Sequence, residues 1–222
     1  VDALFESVSG LTTTGATILK NIETFPHGLL FWRSLMQWLG GLGFVVLCLA
    51  IMPFIGGDFN MFSAETTGPI QDKMQPRIKE TAKRLWGLYF VLTIAESLLL
   101  WIGGMDYFDA ICHSLATLST GGMSTKEMSI GSWESPFIHY TTILFMIIGG
   151  TNFTLLYHSL VKQRYNKLFS NEEFKFYILL IFIATLAIAS ILFFLVPEYA
   201  ATEKTIRDSL FQVTAFITST AF

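Results

Sequence analysis

Residues 9–17 read Ser-Gly-Leu-Thr-Thr-Thr-Gly-Ala-Thr, and the role of this stretch decides the architecture of everything after it. A glycine behind three threonines can close a phosphate loop, cap a helix or line a passage with backbone. Gly10 and Gly15 have the spacing of a phosphate loop, but Ala16-Thr17 stands where that loop needs Lys followed by Ser or Thr. A helix cap accounts for one such stretch, and the chain has three. Aligned without gaps they read Asp2-Ala-Leu-Phe-Glu-Ser-Val-Ser-Gly-Leu-Thr-Thr-Thr-Gly15, Asp109-Ala-Ile-Cys-His-Ser-Leu-Ala-Thr-Leu-Ser-Thr-Gly-Gly122 and Asp208-Ser-Leu-Phe-Gln-Val-Thr-Ala-Phe-Ile-Thr-Ser-Thr-Ala221. Asp and final residue are 13 apart each time (15−2, 122−109, 221−208). A repeat at fixed internal spacing constrains the fold more than any single motif.

The surroundings of the repeats are apolar. Of 222 residues, 52% are hydrophobic and 14% charged, against about 25% charged in a soluble domain. Four stretches are long enough to cross a bilayer, which takes about 20 helical residues: 29–54, 85–103, 137–160 and 174–196. Nine of the fourteen Lys and Arg fall in two connections, Lys73, Arg77, Lys79, Lys83 and Arg84, then Lys162, Arg164, Lys167 and Lys175. The excess of basic residues on cytoplasmic loops places 56–84 and 161–175 in the cytoplasm. Residues 1–28, 104–136 and 197–222, which hold the three repeats, then face outward. The net charge of −3 gives no reason to expect a nucleic-acid partner. Cys48 and Cys112 are far apart in apolar surroundings and read as core residues. The chain opens on Val1 inside a structured-looking segment, so it is expected to be a piece of a longer protein.

Each repeat offers ten or eleven residues before its Thr/Gly run. As helix that is about 16 Å at 1.5 Å per residue, half of a hydrocarbon core about 30 Å thick. Such a segment cannot span. A half-length helix followed by a Gly-containing extended run, between two full spans, reads as a re-entrant pore loop. Irregular backbone is tolerated at that depth only where protein buries it or it lines a watery cavity. The C-terminal end of a short helix favours a cation, and inward carbonyls can replace the ion's hydration shell, with glycine permitting the conformation. A secondary transporter with broken helices predicts inverted repeats, whereas these three enter from the same side. No catalytic constellation is present; an intramembrane enzyme would have only Glu96 and His158 to work with, so no enzymatic activity is expected.

At this point the residues resemble a family. Thr12-Thr-Thr-Gly-Ala-Thr17, His27-Gly-Leu-Leu-Phe-Trp-Arg33-Ser-Leu-Met-Gln-Trp-Leu-Gly-Gly-Leu-Gly43, Ala64-Glu-Thr-Thr-Gly-Pro69, Pro76-Arg-Ile-Lys-Glu-Thr-Ala-Lys83 and Ser119-Thr-Gly-Gly-Met-Ser-Thr125 resemble the TrkH-type bacterial potassium-uptake proteins of the Trk/Ktr/HKT superfamily. The resemblance covers essentially the whole chain. It implies an all-α membrane protein of helix–re-entrant pore loop–helix units around one pseudo-four-fold pore, partial here. Residues 1–54 would be the pore loop and inner helix of unit one, and 55–84 a cytoplasmic linker. Residues 85–160 would form a complete unit two, 161–173 a cytoplasmic loop, and 174–222 the outer helix and pore helix of unit three. The family's fourth unit and its intramembrane gate would lie beyond this chain, leaving it inactive by itself.

The resemblance further implies potassium uptake across a bacterial inner membrane and potassium as the transported ion, without a cofactor in the chain. It implies a homodimer in membrane lipid and a cytoplasmic ring of nucleotide-binding regulatory subunits, which the basic connections would meet. By the repeat alignment the filter carbonyls come from Thr13, Thr14 and Gly15; Thr120, Gly121 and Gly122; and Ser219, Thr220 and Ala221. Ala221 stands where the family has glycine. Beside the filter, Arg33, Gln37 and Glu96 are polar residues in or near apolar spans, which makes them functional candidates by default. Arg33 is near a helix end and is able either to reach the interface or to serve near the pore. Glu96 reads as a coupling, packing or hydrogen-bonded structural group, and His113 as structural. Gly41 and Gly149 follow the first two filters at 26 and 27 residues (41−15, 149−122) and should allow close helix approach.

Overall fold

The computed structural model of the protein describes residues 1–43, 74–160, 165–196 and 202–222. Among the described residues every regular element is helical. Helix α1 (Asp2–Leu11) leads through the Thr/Gly run and an irregular segment to α2 (His27–Trp38), which ends in a widened turn, Leu39–Gly43. Helices α3 (Met74–Ile102), α4 (Tyr107–Leu118) and α5 (Pro136–Gly149) follow, then α6 (Phe153–Leu160), α7 (Tyr165–Ser170), α8 (Glu172–Leu195) and α9 (Thr202–Ile217). Residues 83–102 of α3 and all of α8 are long and apolar enough to cross a membrane. The continuation of the first expected span through 44–54, Cys48, the motif 64–69, most of the first basic connection, and Lys162 and Arg164 lie outside the described residues.

The three repeats are the short helices α1 (10 residues), α4 (12 residues) and α9, which at 16 residues is longer than the ten or eleven expected. All three end at the same repeat position, Leu11, Leu118 and Ile217. Their starts do not share a repeat position. Val1 is the N-cap of α1 and Asp106 that of α4, its side chain accepting from the Phe108 amide at 3.1 Å. Helix α9 begins at Thr202, so Asp208 lies within it. The added turn carries Glu203 and Arg207, four residues apart with Nη1 3.5 Å from Oε1, a pairing that supports the helix there.

The connection from α3 to α4 is tight because Gly104 adopts φ 100° after Gly103. The Met105 amide then reaches the Leu100 carbonyl at 3.1 Å, closing the helix end with a left-handed residue. The expected third span is broken: α5 stops at Gly149, and helix resumes at Phe153. Gly150, Thr151 and Asn152 form the break, with the Thr151 hydroxyl donated back to the Ile147 carbonyl at 2.7 Å, a bond that loosens a helix by competing with its own ladder.

Two apolar clusters join the helices. Trp38 of α2 packs with Tyr89 of α3 and Leu115 and Leu118 of α4, its ring stacked on Tyr89 at 5.2 Å. Leu100 of α3, Met105 just after it, and Ile138, Ile143 and Met146 of α5 receive Phe211 and Ala215 of α9. Helix α4 is thereby walled in, whereas α1 and α9 keep exposed apolar residues, including Leu4 and Phe216.

Candidate ion pathway at the three pore loops

Past each short helix the backbone turns in the same way. The amides of Thr13, Thr120 and Ser219 bond the carbonyls of Gly10, Thr117 and Phe216 at 3.0, 2.9 and 3.1 Å. Those three residues have φ of 54°, 53° and 55°. Two residues on, Gly15, Gly122 and Ala221 are again left-handed, at 77°, 71° and 54°. Left-handed backbone costs a residue with a Cβ about 1–2 kcal/mol, so its four non-glycine occurrences, at Thr13, Thr120, Ser219 and Ala221, show that the surroundings impose the shape. Ala221 takes the same left-handed conformation as Gly15 and Gly122 without glycine's freedom.

The three loops also meet. A Cβ on Gly15 would fall on the carbonyl oxygen of Gly121, and one on Gly122 on the carbonyl oxygen of Thr220. The glycines are therefore required twice over, by dihedral and by space. Inner-helix glycines repeat the relation one layer below. A Cβ on Gly40 would strike the Leu11 carbonyl, and one on Gly149 would sit 3.2 Å from the equivalent Leu118 carbonyl. Gly41 faces Ser119 Cβ at 3.0 Å, and Gly150 faces the equivalent Thr218 Cγ2 at 2.9 Å. Gly40 corresponds to Gly149, and Gly41 to Gly150: the first two sit against the last residue of the preceding short helix, the second two against the residue that follows the next short helix. Gly40→Ala is expected to lower the unfolding temperature of the purified whole protein by several degrees, since backbone must shift; an unchanged melting curve would contradict that packing.

Polar side chains hold the loops from behind, and the repeat places them in one column. Glu6 and His113 occupy the same pore-helix position. Glu6 Oε1 accepts from the Thr17 hydroxyl at 2.7 Å and the Ile18 amide at 2.8 Å. His113 Nε2 lies 2.9 Å from the hydroxyl of Ser124, the equivalent of Thr17. Asp109 adds an acceptor for Thr125 at 2.7 Å. Arg33 is buried, its Nε 3.0 Å from Glu6 Oε2 and its Nη2 3.0 Å from the Thr17 hydroxyl. Of the two roles open to Arg33 in the sequence, reaching the interface is not the one it takes. Glu6 and Asp109 were not foreseen as loop supports; the signal was available in two polar repeat columns, Glu6–His113–Gln212 and Asp2–Asp109–Asp208.

Gln37 is fully buried and braces the second loop, donating Nε2 to the Gly121 carbonyl at 2.7 Å and accepting the Met123 amide on Oε1 at 3.0 Å. Glu96 is set apart from the loops, fully buried on α3 toward Thr117 of α4, and among the described residues neither carboxyl oxygen meets a partner in hydrogen-bond geometry. His158 lies on α6, away from Glu96 in sequence and element, with its side chain outside the described residues.

Comparison with known proteins follows the same pattern. The family described as "TrkH: Cation transport protein" matches residues 1–219. The Trk system potassium uptake protein TrkH of Escherichia coli (strain K12) is 43% identical over 223 residues, covering 100% of this chain and 46% of that protein. The TrkH protein of Vibrio parahaemolyticus is 48% identical over 156 residues, 69% of this chain and 32% of the relative. The crystal structure of the potassium transporter TrkH from Vibrio parahaemolyticus superposes with a TM-score of 0.80 at 36% identity, covering 96% of this chain and 43% of that one. The chain thus spans about half the length of the relatives it matches. With both its sequence and its pore-loop repeats accounted for, the chain belongs to the TrkH family of cation transport proteins.

Proposed function

We propose that this chain supplies three walls of a potassium-uptake pore in a bacterial inner membrane. The observation that carries the reading is the shared left-handed pattern at Thr13 and Gly15, Thr120 and Gly122, and Ser219 and Ala221, on loops that touch one another. Potassium would reach the loops from outside and shed water against backbone carbonyls of residues 13–15, 120–122 and 219–221. The C-terminal ends of α1, α4 and α9 add favourable potential for a cation. The exposed apolar residues of α1 and α9 are where a fourth unit of the whole protein would close the ring. Dimerisation, regulation by a nucleotide-binding ring at 56–84 and 161–175, and the cytoplasmic placement of those segments belong to the same proposal.

The test is rubidium uptake by the whole protein in liposomes, with and without an imposed proton or sodium gradient. Uptake that potassium competes away, and that exceeds empty liposomes, is the expected result. No flux under any gradient would overturn the reading, and flux that follows the imposed gradient would identify a coupled mechanism.

A further inference from the structure

The middle filter residue differs among the loops, and so does what lies behind it. In loops one and three it is Thr14 and Thr220, whose hydroxyls sit 2.8 and 2.7 Å from those of Thr12 and Thr218 at the helix ends. In loop two it is Gly121, although its φ is not among the left-handed ones, so backbone conformation does not demand glycine. Space does. A Cβ there would lie 2.5 Å from Cδ and 2.6 Å from Nε2 of Gln37. Gln37 fills the volume of the absent threonine side chain and uses both ends of its amide on the loop backbone, bracketing Gly122. This is how a neighbouring strand would pair with an edge, supplied instead by one side chain from another unit.

The inner helices complete the exchange. In the register set by the pairs Gly40–Gly149 and Gly41–Gly150, Gln37 corresponds to Met146 of α5 (40−37 = 149−146). Met146 is fully buried in the apolar cluster against α9, which leads into loop three. Where the next loop has threonine, the inner helix presents Met; where the next loop has glycine, it presents Gln.

We infer that Gln37 is a positioning residue for ion selection, a cross-unit brace that replaces the missing threonine of loop two and sets the carbonyl of Gly121. The inference rests on the proposal that the loops form the ion path. Without the amide the Gly121 carbonyl loses a buried donor and the loop relaxes, so discrimination between ions of similar charge falls before transport does.

The experiment uses the whole protein with Gln37→Met, Gly121→Thr, both together, and Gln37→Glu, reading rubidium uptake and its inhibition by potassium and by sodium. Gln37→Met is expected to lower the potassium-over-sodium preference about tenfold, equal to about 1.4 kcal/mol. Gly121→Thr alone should be worse, and the double variant, which copies the Met146–Thr220 arrangement, should recover part of the loss. Gln37→Glu adds a readout that packing alone would not move: a protonated carboxyl can donate to Gly121 and a carboxylate cannot. Its preference should therefore approach the parent's at acidic pH and fall at alkaline pH, while Gln37→Met stays flat. Unfolding temperatures of the four proteins give a measure independent of flux, where the double variant should be more stable than the sum of the singles. Additive stabilities, or preference unchanged in both Gln37 variants, would overturn the inference. A parent protein without flux but with the non-additive stabilities would overturn potassium uptake and the selection role, and leave the brace as packing.

Discussion

Gly15→Ser is expected to cut the potassium-over-sodium preference of the whole protein by tenfold or more while leaving it folded. Gly15 has φ 77°, a conformation that costs a side-chain-bearing residue about 1–2 kcal/mol, already of the order of a factor of ten. The second contribution is steric, because the new Cβ falls on the Gly121 carbonyl oxygen. Loop one or loop two must move, and a carbonyl that coordinates through a fixed dipole loses selectivity when its position relaxes. Ala221 provides the control with the opposite sign. It holds φ 54° with a Cβ in place, so Ala221→Gly removes strain of about 1 kcal/mol and should leave preference equal or sharper. Uptake of rubidium against graded sodium and potassium reads both. Unchanged preference in Gly15→Ser would show that this backbone does not select the ion.

Much of this arrangement was legible in the sequence because a repeat carries its own register. The spacing from Asp to Gly15, Gly122 and Ala221 marked the last left-handed residue of each loop, and the shortness of the repeats excluded spanning. Where the reading fell short, the cause was a contact between distant residues. Gln37 and Gly121 are 84 positions apart, and nothing in local periodicity links a glutamine on α2 to a glycine past the end of α4. The break at Gly150–Asn152 was hidden by the hydrophobicity of residues 137–160, since composition measures transfer to lipid and is blind to hydroxyl competition for carbonyls. The early start of α9 was hidden for the converse reason, its first turn being charged and held by a side-chain pair. Gly41 and Gly149 were recognised as small, but their pairing with Gly40 and Gly150 depends on which carbonyl each approaches.

The ion pair behind loop one is the other place where a large effect is expected, and its size follows from burial. Arg33 and Glu6 have side chains only 4% and 9% exposed, so neither charge is restored to water when its partner goes. Breaking such a pair by removing one member typically costs 3–5 kcal/mol, because an uncompensated buried charge remains. Arg33→Met should therefore destabilise the protein by about 3 kcal/mol, seen as a drop in unfolding temperature in detergent. Glu6→Gln alone should also be harmful, leaving the guanidinium with the Thr17 hydroxyl as its remaining contact in this network. Glu6→Gln with Arg33→Met removes both charges and keeps an acceptor for Thr17 and Ile18, so it is expected to be more stable than Arg33→Met alone. That ordering separates a buried pair from simple loss of bulk, which would make the double variant the worst of the three. The consequence reaches the loop because Thr17 and Ile18, held by Glu6 Oε1, are two and three residues past Gly15. Arg33→Met should lower rubidium uptake together with stability, and the double variant should recover both. An Arg33→Met protein as stable as its parent would mean that the pair contributes nothing measurable and that Thr17 and Ile18 alone hold the exit of loop one in place.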